Sequence, residues 1–383
     1  IVKSRIKDIA LIREITDQRS EKLAAEQAAA DEASGRYQDL SDEDYEALAP
    51  HRAPEIENPA DRSPEDLDLP DLSPGKIIAV VGERGLGKST ALRDLVRDLD
   101  PANVLYIHFE GGGLRGLLSK LAASLKVEAN ESAVLEAIEN SSIEAIAIDD
   151  FHRLFVPAIG GLADFDRFVS MARTCASSTA WAFGIGGPAM TYIGRARSDH
   201  SLFDEIAFLP RWDADQLRAL IERRTNRLGI KPVFDLRNEA ALSMFNSDLP
   251  PEERVKRAYF EKLEDLSKGN PAIALDIWRQ SLFINRFTSE VEVRTYSGPS
   301  TDDLSSMPEA TLFVLRAVMQ MEVATLETLR WSTDLDAGLI SEALRRLVRH
   351  EVIGEFSDGY RIRLHWYRAA ERVLERRNLV VRA

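Results

Sequence analysis

Ten residues, VGERGLGKST from Val81 to Thr90, bring two glycines, a lysine and a hydroxyl together at the spacing G-x-x-x-x-G-K-[ST]. The matching positions are Gly82, Gly87, Lys88 and Ser89. Each residue type has a task in holding phosphates. Glycines let successive backbone N–H groups turn toward an anion without a Cβ in the way. A helix opening near Lys88 aims its N-terminal dipole at the same anion. Lys88 then reaches the outer phosphates, and Ser89 offers its hydroxyl to Mg²⁺. The expected cradle therefore comprises Gly82, Glu83, Arg84, Gly85, Leu86, Gly87, Lys88, Ser89 and Thr90. An ordinary strand-to-helix turn is the competing reading. The buried-strand pattern KIIAV before the motif and the helical run ALRDLVRDL after it favour the cradle.

Such a cradle needs a metal-holding acid at the end of another buried strand. The stretch EAIAIDDFHRLF supplies Asp149 and Asp150 after an apolar IAI. Asp149 is expected to hold the metal together with Ser89. Asp150 is placed to orient or deprotonate an attacking water. The alternative is that the pair merely caps the following helix. The separation from the cradle suits a sheet in which the acid strand neighbours the cradle strand.

The elements that must position these residues alternate along the chain. KIIAVVG, NVLYIHFE, EAIAIDD, TAWAFGIGG and EIAFLP read as strands, with helical patterns such as LRGLLSKLAASL, ESAVLEAIEN and ADFDRFVSMARTCA between them. Unbroken apolar strands alternating with helices imply a parallel sheet covered on both faces. From Asp213 onward the pattern predicts helices without further strands, through the segment around LRNEAALSMF and on to PAIALDIWRQSLF. The tail reads as three helices, a hairpin at SDGYRIRL and a last helix. In the third, GLISEALRRLVRHEVI, Leu344, Leu347, Val348 and Ile353 are expected inward and Arg345, Arg346 and Arg349 outward.

Composition narrows the function classes. Of 383 residues, 44% are hydrophobic and 29% charged, enough for a buried core. The net charge is −14 and uneven. Up to Pro74 there are 19 acids against 9 Lys/Arg, whereas from Met307 there are 11 acids against 12 Arg. Any contact with nucleic acid must then be local rather than driven by the overall field. The single cysteine, Cys175, excludes an intramolecular disulfide and a cysteine zinc cage, and the six histidines show no HExxH spacing. The uncharged run from Thr174 to Gly194 contains glycines and a proline and suits a strand and loop better than a membrane span.

The first 34 residues predict a helix. Lys3, Arg5 and Lys7 beside Val2, Ile6 and Ile9 suit either a solvated amphipathic helix or one lying just inside a membrane after a span upstream of Ile1. The expected location is cytoplasmic, with membrane association through such an upstream segment as the variant reading. Residues 35–70, rich in Asp, Glu, Pro and Ser, predict an acidic linker with at most a short helix.

Taken together, GERGLGKST and IAIDDFHRL resemble the P-loop ATPases of the AAA+ and STAND type. IDDFH in particular resembles the acid motif of STAND regulators. Ser267-Lys268-Gly269-Asn270-Pro271 is similar to the S-x-G-N-P stretch of STAND and origin-recognition ATPases, and FLPRWDADQLRALIERR to transposon ATPases of the TniB type. The likeness runs from about Leu69 to Leu374. It implies an α/β P-loop NTPase sheet (71–211), a helical lid (212–290), a short linker (291–306) and a C-terminal winged-helix domain (307–383). It implies ATP and Mg²⁺ as ligands, with Gly269 and Pro271 where the lid meets the nucleotide and Arg279 aimed at its last phosphate. A plain interhelix turn and an exposed helix arginine are the alternatives.

The resemblance also places Arg195 and Arg197 where a neighbouring subunit receives an arginine finger, which implies a homo-oligomer through the ATPase core. Surface arginines on a loop are the alternative. Two departures point to slow hydrolysis: the fourth strand ends in GIGG without a polar residue, and the usual Asp-Glu is Asp-Asp. The functional expectation is a nucleotide-dependent switch that signals to a protein partner or an upstream membrane domain. The alternative is a DNA-associated ATPase in replication, transposition or transcription regulation, using Arg345, Arg346 and Arg349 of a winged helix.

Overall fold

The computed structural model describes residues 35–52, 69–197, 202–234, 249–296 and 298–380. The helix expected over the first 34 residues and the one around LRNEAALSMF lie outside them. The chain divides into two compact units, one of residues 1–53 with 212–300 and the other of 54–211 with 301–383.

Among the described residues, the first unit begins with β1 (Tyr37–Asp39) and α1 (Asp42–Ala47). The described part of the expected linker is therefore structured. Ser41 caps α1 by accepting the Asp44 N–H.

The second unit holds the strands and helices of the predicted alternation. In order they are β2 (Ile77–Gly82), α2 (Lys88–Leu95), β3 (Val104–His108), α3 (Gly113–Leu125), α4 (Glu131–Glu139), β4 (Ala145–Asp149), α5 (Ala163–Cys175), β5 (Ala180–Gly186), α6 (Gly187–Ala196) and β6 (Glu205–Phe208). The five strands form an all-parallel sheet, as in P-loop NTPases, in the order β3-β4-β5-β2-β6. Every residue of β2, β4 and β5 is buried, which is why these strands read as continuous apolar runs.

The acid strand β4 is not bonded to the cradle strand β2, contrary to expectation. β5 lies between them, pairing Val80 with Gly184 on one side and Ile148 with Phe183 on the other. Its small residues leave room there. A Cβ on Gly184 would come within 2.9 Å of an Asp149 carboxylate oxygen.

One aromatic cluster fixes the turn after β4. Phe151 is fully buried and stacks on Phe183 of β5 at 4.1 Å between ring centres, with Phe165 and Phe168 of α5 beside it. Burial of such a ring stabilises by about 1.5–3 kcal/mol. The ring pins the short 3-10 turn Phe151–Leu154 and with it the residues on either side.

Back in the first unit, strands do not stop at Asp213. After α7 (Ala214–Arg227) come β7 (Val233–Phe234), α8 (Pro251–Ser267), α9 (Pro271–Ser281), β8 (Leu282–Asn285) and β9 (Val291–Val293). These strands and β1 make a four-stranded sheet in the order β1-β8-β9-β7. Their runs of two to four residues are too short for alternation to show against the helical pattern. α9 ends where Leu282 turns to extended backbone, so SLF belongs half to helix and half to strand. A buried Trp278 ties the unit together, donating its indole N–H to Thr225 at 3.0 Å and stacking on Phe260.

The second unit ends with α10 (Thr301–Ser305), α11 (Glu309–Met321), α12 (Leu326–Thr333), α13 (Ala337–Arg349), the hairpin β10 (Ile353–Phe356) and β11 (Gly359–Ile362), and α14 (Leu364–Arg376). α10 and β9 thus occupy much of the stretch read as a linker at 291–306. Leu344, Leu347 and Ile353 are buried as expected, but Val348 is exposed. α11 packs against α6 of the sheet region.

Candidate functional site: the phosphate cradle

The cradle begins where β2 ends. Gly82 closes the strand, and the chain turns through Gly85 and Gly87, both at positive φ (83° and 104°), before α2 starts at Lys88. A side chain at either glycine would be strained, so the motif's Gly87, and Gly85 within the loop, are required by the backbone itself. Ser89 and Thr90 follow in the first turn of α2. Leu86 is buried and holds the loop down, its N–H donating to Glu83 O.

On one side, Asp149 meets Ser89. Asp149 is buried close to Ser89 and accepts the Tyr106 hydroxyl at 3.0 Å. His108 Nδ1 lies 3.9 Å away, an ion-pair distance. Burial alone would raise the Asp149 pKa, but His108, Ser89, Lys88 and Tyr106 together bring it down to about 2. Conversely, the Asp149 contact raises the His108 pKa. An ionised carboxylate beside a hydroxyl is a hard-oxygen donor set, and these two residues fit Mg²⁺.

Asp150 follows in left-handed backbone (φ 55°), its N–H donating to Asp149 Oδ1 at 3.0 Å.

The other side joins cradle residues to Glu322, which motif reading did not single out. Lys88, 6% exposed, donates to Gly82 O (3.0 Å) and Glu83 O (3.4 Å) and lies 3.4 Å from Glu322 Oε1. Glu322 follows α11, in the C-terminal part of the same unit. Burial would raise its pKa, but Lys88, His152 and Arg84 hold it far below the usual carboxylate range, so it is charged. Four further contacts surround the loop, three of them reaching the C-terminal part. Arg84 donates to Ile362 O at 2.9 Å. Arg368 and Arg211 both donate to the Glu83 carboxylate, at 2.5 and 2.8 Å. Arg153 donates to Asp358 in the hairpin turn at 3.0 Å.

His152 stands between the sides. It is 1% exposed, and its Nδ1 accepts the Gly186 N–H at 3.2 Å. The GIGG end of β5 thus does meet a polar group, but one carried by the neighbouring strand's turn. Ligand atoms of Asp150, His152 and Glu322 lie within 4.8 Å of one another. They do not make a metal cage, because a ring whose Nδ1 accepts a hydrogen bond carries its proton on Nε2 and has no lone pair left there for a metal. That Nε2 faces Glu322 Oε2 at 3.5 Å.

Of the other expected residues, Gly269 and Pro271 form the turn between α8 and α9 in the first unit. Asn270 caps α9 by accepting the Ala272 and Ile273 N–H groups, and Gly269 O accepts the Trp212 N–H. Arg279 does not present a free guanidinium. It donates to Asp276 and stacks on the Tyr45 ring at 4.3 Å. Arg195 is exposed at the end of α6, and Arg197 is paired with Asp166. On α13, Arg345 and Arg349 are exposed, while Arg346 pairs with Glu342 at 2.9 Å.

The signals for the missed residues differ. Tyr106 and His108 are two polar side chains at i and i+2 near the end of an apolar strand, so they share a face. His108 stands directly opposite Asp149 in the sheet register. Glu322 has no local signal. It is a single glutamate between a helix and a turn.

A family model described as "AAA domain" matches residues 71–183, which hold the cradle and both acids. No curated protein matches the chain in sequence. Similar solved structures include the ORC2 protein of Aeropyrum pernix in ADPNP-ADP complexes, 12% identical, with 80% of this chain and 89% of that one covered at a TM-score of 0.45. The ORC1 protein of Aeropyrum pernix in complex with DNA is 15% identical over 88% and 97%, at 0.37. The CDC6P protein of Pyrobaculum aerophilum is 13% identical over 78% and 88%, at 0.33. All three TM-scores lie below one half, so the likeness is remote.

Among the described residues, no helix is long and apolar enough to cross a membrane.

Proposed function

We propose that the chain is an ATP-binding P-loop ATPase that works as a nucleotide-dependent switch, with slow hydrolysis linked to assembly. The observation that carries this reading is the meeting of Lys88, Ser89 and Asp149 at the end of the parallel sheet, where Ser89 and Lys88 both lower the pKa of the acid. Ser89 and Asp149 would hold Mg²⁺, and Lys88 would face the outer phosphates. When bound, Mg²⁺ supplies charge neutralisation at the phosphates. Asp150 is the group for the attacking water, on a shorter arm than glutamate would give. Arg195 or Arg197 would come from a second copy, which makes turnover depend on assembly. The state would be read by a protein partner or a membrane domain upstream, with the C-terminal helices and hairpin acting as a winged helix in that contact.

Phosphate release measured against protein concentration tests this reading. The expected rate per chain is low and rises with concentration, and Asp150→Asn abolishes it. A rate independent of concentration, or one unchanged in Asp150→Asn, contradicts it.

The second reading, a DNA-associated ATPase, is favoured by Arg345 and Arg349, which stand exposed on α13. Titration with duplex DNA over a salt series separates the two. Tight binding with a steep salt slope supports the DNA reading.

A further inference from the structure

We infer that Glu322 is an internal ligand of the cradle: its carboxylate stands where a nucleotide phosphate must go, so that triphosphate entry and docking of the C-terminal part exclude one another. This rests on the reading of the cradle as an ATP site.

A lysine ammonium has three hydrogens to give. Lys88 directs them at Gly82 O, Glu83 O and Glu322 Oε1. None is left for a phosphate oxygen while Glu322 is in place. The two backbone carbonyls belong to the loop itself, so Glu322 is the partner that must leave. It is also the only one of the three with a charge, and a phosphate beside it would put two anions against one buried lysine.

The surroundings are shaped to receive this carboxylate. A Cβ on Gly186 would lie 2.4 Å from Glu322 Oε1, so the glycine at the end of β5 is what admits it. Glu322 itself sits at φ 59°, ψ −36°, a backbone state that a residue with a side chain keeps only when its surroundings hold it there. The surroundings are the cradle's own residues, since Arg84 and Glu83 are gripped by Ile362 O and Arg368. The contacts that dock the C-terminal part are therefore made with the loop that would wrap the phosphates. Filling the loop with nucleotide and keeping those contacts are competing uses of the same residues.

The test uses the full chain and two measurements. Calorimetric titration compares Mg-ATP and adenosine binding in the wild type and Glu322→Gln. Removing the competing charge is expected to tighten Mg-ATP binding roughly 5- to 150-fold, the ordinary range for a ligand coupled to a conformational equilibrium, and to leave adenosine unchanged. Hydrogen exchange on the wild type needs no variant. Mg-ATP is expected to speed exchange across β10, β11 and α14. Equal Mg-ATP affinity in both proteins, with protection of the hairpin unchanged by nucleotide, overturns the inference but leaves the ATP site standing. Loss of turnover in Glu322→Gln at unchanged affinity also overturns it and makes Glu322 a catalytic residue. Absence of binding in both proteins overturns the ATP reading and the inference with it.

Discussion

The two sides of the cradle are assembled from different parts of the chain. On the metal side, Ser89, Tyr106, His108 and Asp149 all come from neighbouring strands and the first helical turn of one sheet. On the phosphate side, Lys88 meets Glu322 across 234 residues of sequence. The first side gathers polar side chains around one ionised carboxylate. The second is a charge already paired. The difference teaches that a motif identifies the groups able to bind a ligand but not what those groups hold when the ligand is away.

The comparison is broken most severely at the buried pair. Lys88→Met leaves Glu322 charged and buried without its main partner, a change that costs about 3–5 kcal/mol. Denaturant unfolding should show this loss, and adding Glu322→Gln in the same chain should restore part of it. If the double variant is no more stable than Lys88→Met alone, the pair is not coupled.

The metal side is tested next through pH. The Asp149 pKa lies at about 2 in the folded chain against 3.8 ordinarily. A lowered folded value means stability that is present above the ordinary value and is lost as pH falls toward 2. The size is roughly 2–3 kcal/mol. Asp149→Asn should flatten that part of the acid-side stability profile. His108 acts with the opposite sign. Its raised pKa gives a contribution present below the ordinary histidine value and lost as pH rises through the folded one.

A smaller effect is expected at Tyr106→Phe, which removes one hydrogen bond to the Asp149 carboxylate at a cost of about 1.5–3 kcal/mol at most. An increase in the Asp149 pKa, followed by carboxyl NMR, is the accompanying sign. The smallest effect is expected at Arg346→Ala. Its partner Glu342 lies one helical turn away at the surface, and such pairs are worth about 0.3–0.5 kcal/mol. A larger loss in thermal unfolding would mean that α13 carries a contact beyond this pair.

The parallel sheet was legible because its strands are buried on both faces. IIAVVG, AIAID and AWAFGIG leave no other account of so many apolar residues in a row. The nearness of Ser89 and Asp149 was legible because a hydroxyl in the cradle motif and an acid at a buried strand end are recognisable by type and place. The small sheet of the other unit was not legible. Val233–Phe234 and Val291–Val293 are too short for an alternation to show, and the pairing of Val291–Val293 with both Val233–Phe234 and Leu282–Asn285 is set by tertiary contact. Arg279 was misread for a related reason. Its partner Tyr45 lies in a stretch whose acidic composition suggested a linker. Glu322 was invisible because its role depends on a distant lysine, and sequence spacing carries no trace of that meeting. Gly186 was read as a missing sensor, whereas in the fold it is the space that Glu322 occupies.

Calorimetric titration of Mg-ATP into the intact wild-type chain and into Lys88→Met bears most directly on the cradle itself. Saturable binding at one site in the wild type, lost in the variant, is the predicted result. Heat that is absent from the wild type, or identical in both proteins, would contradict the assignment of this loop as a nucleotide site.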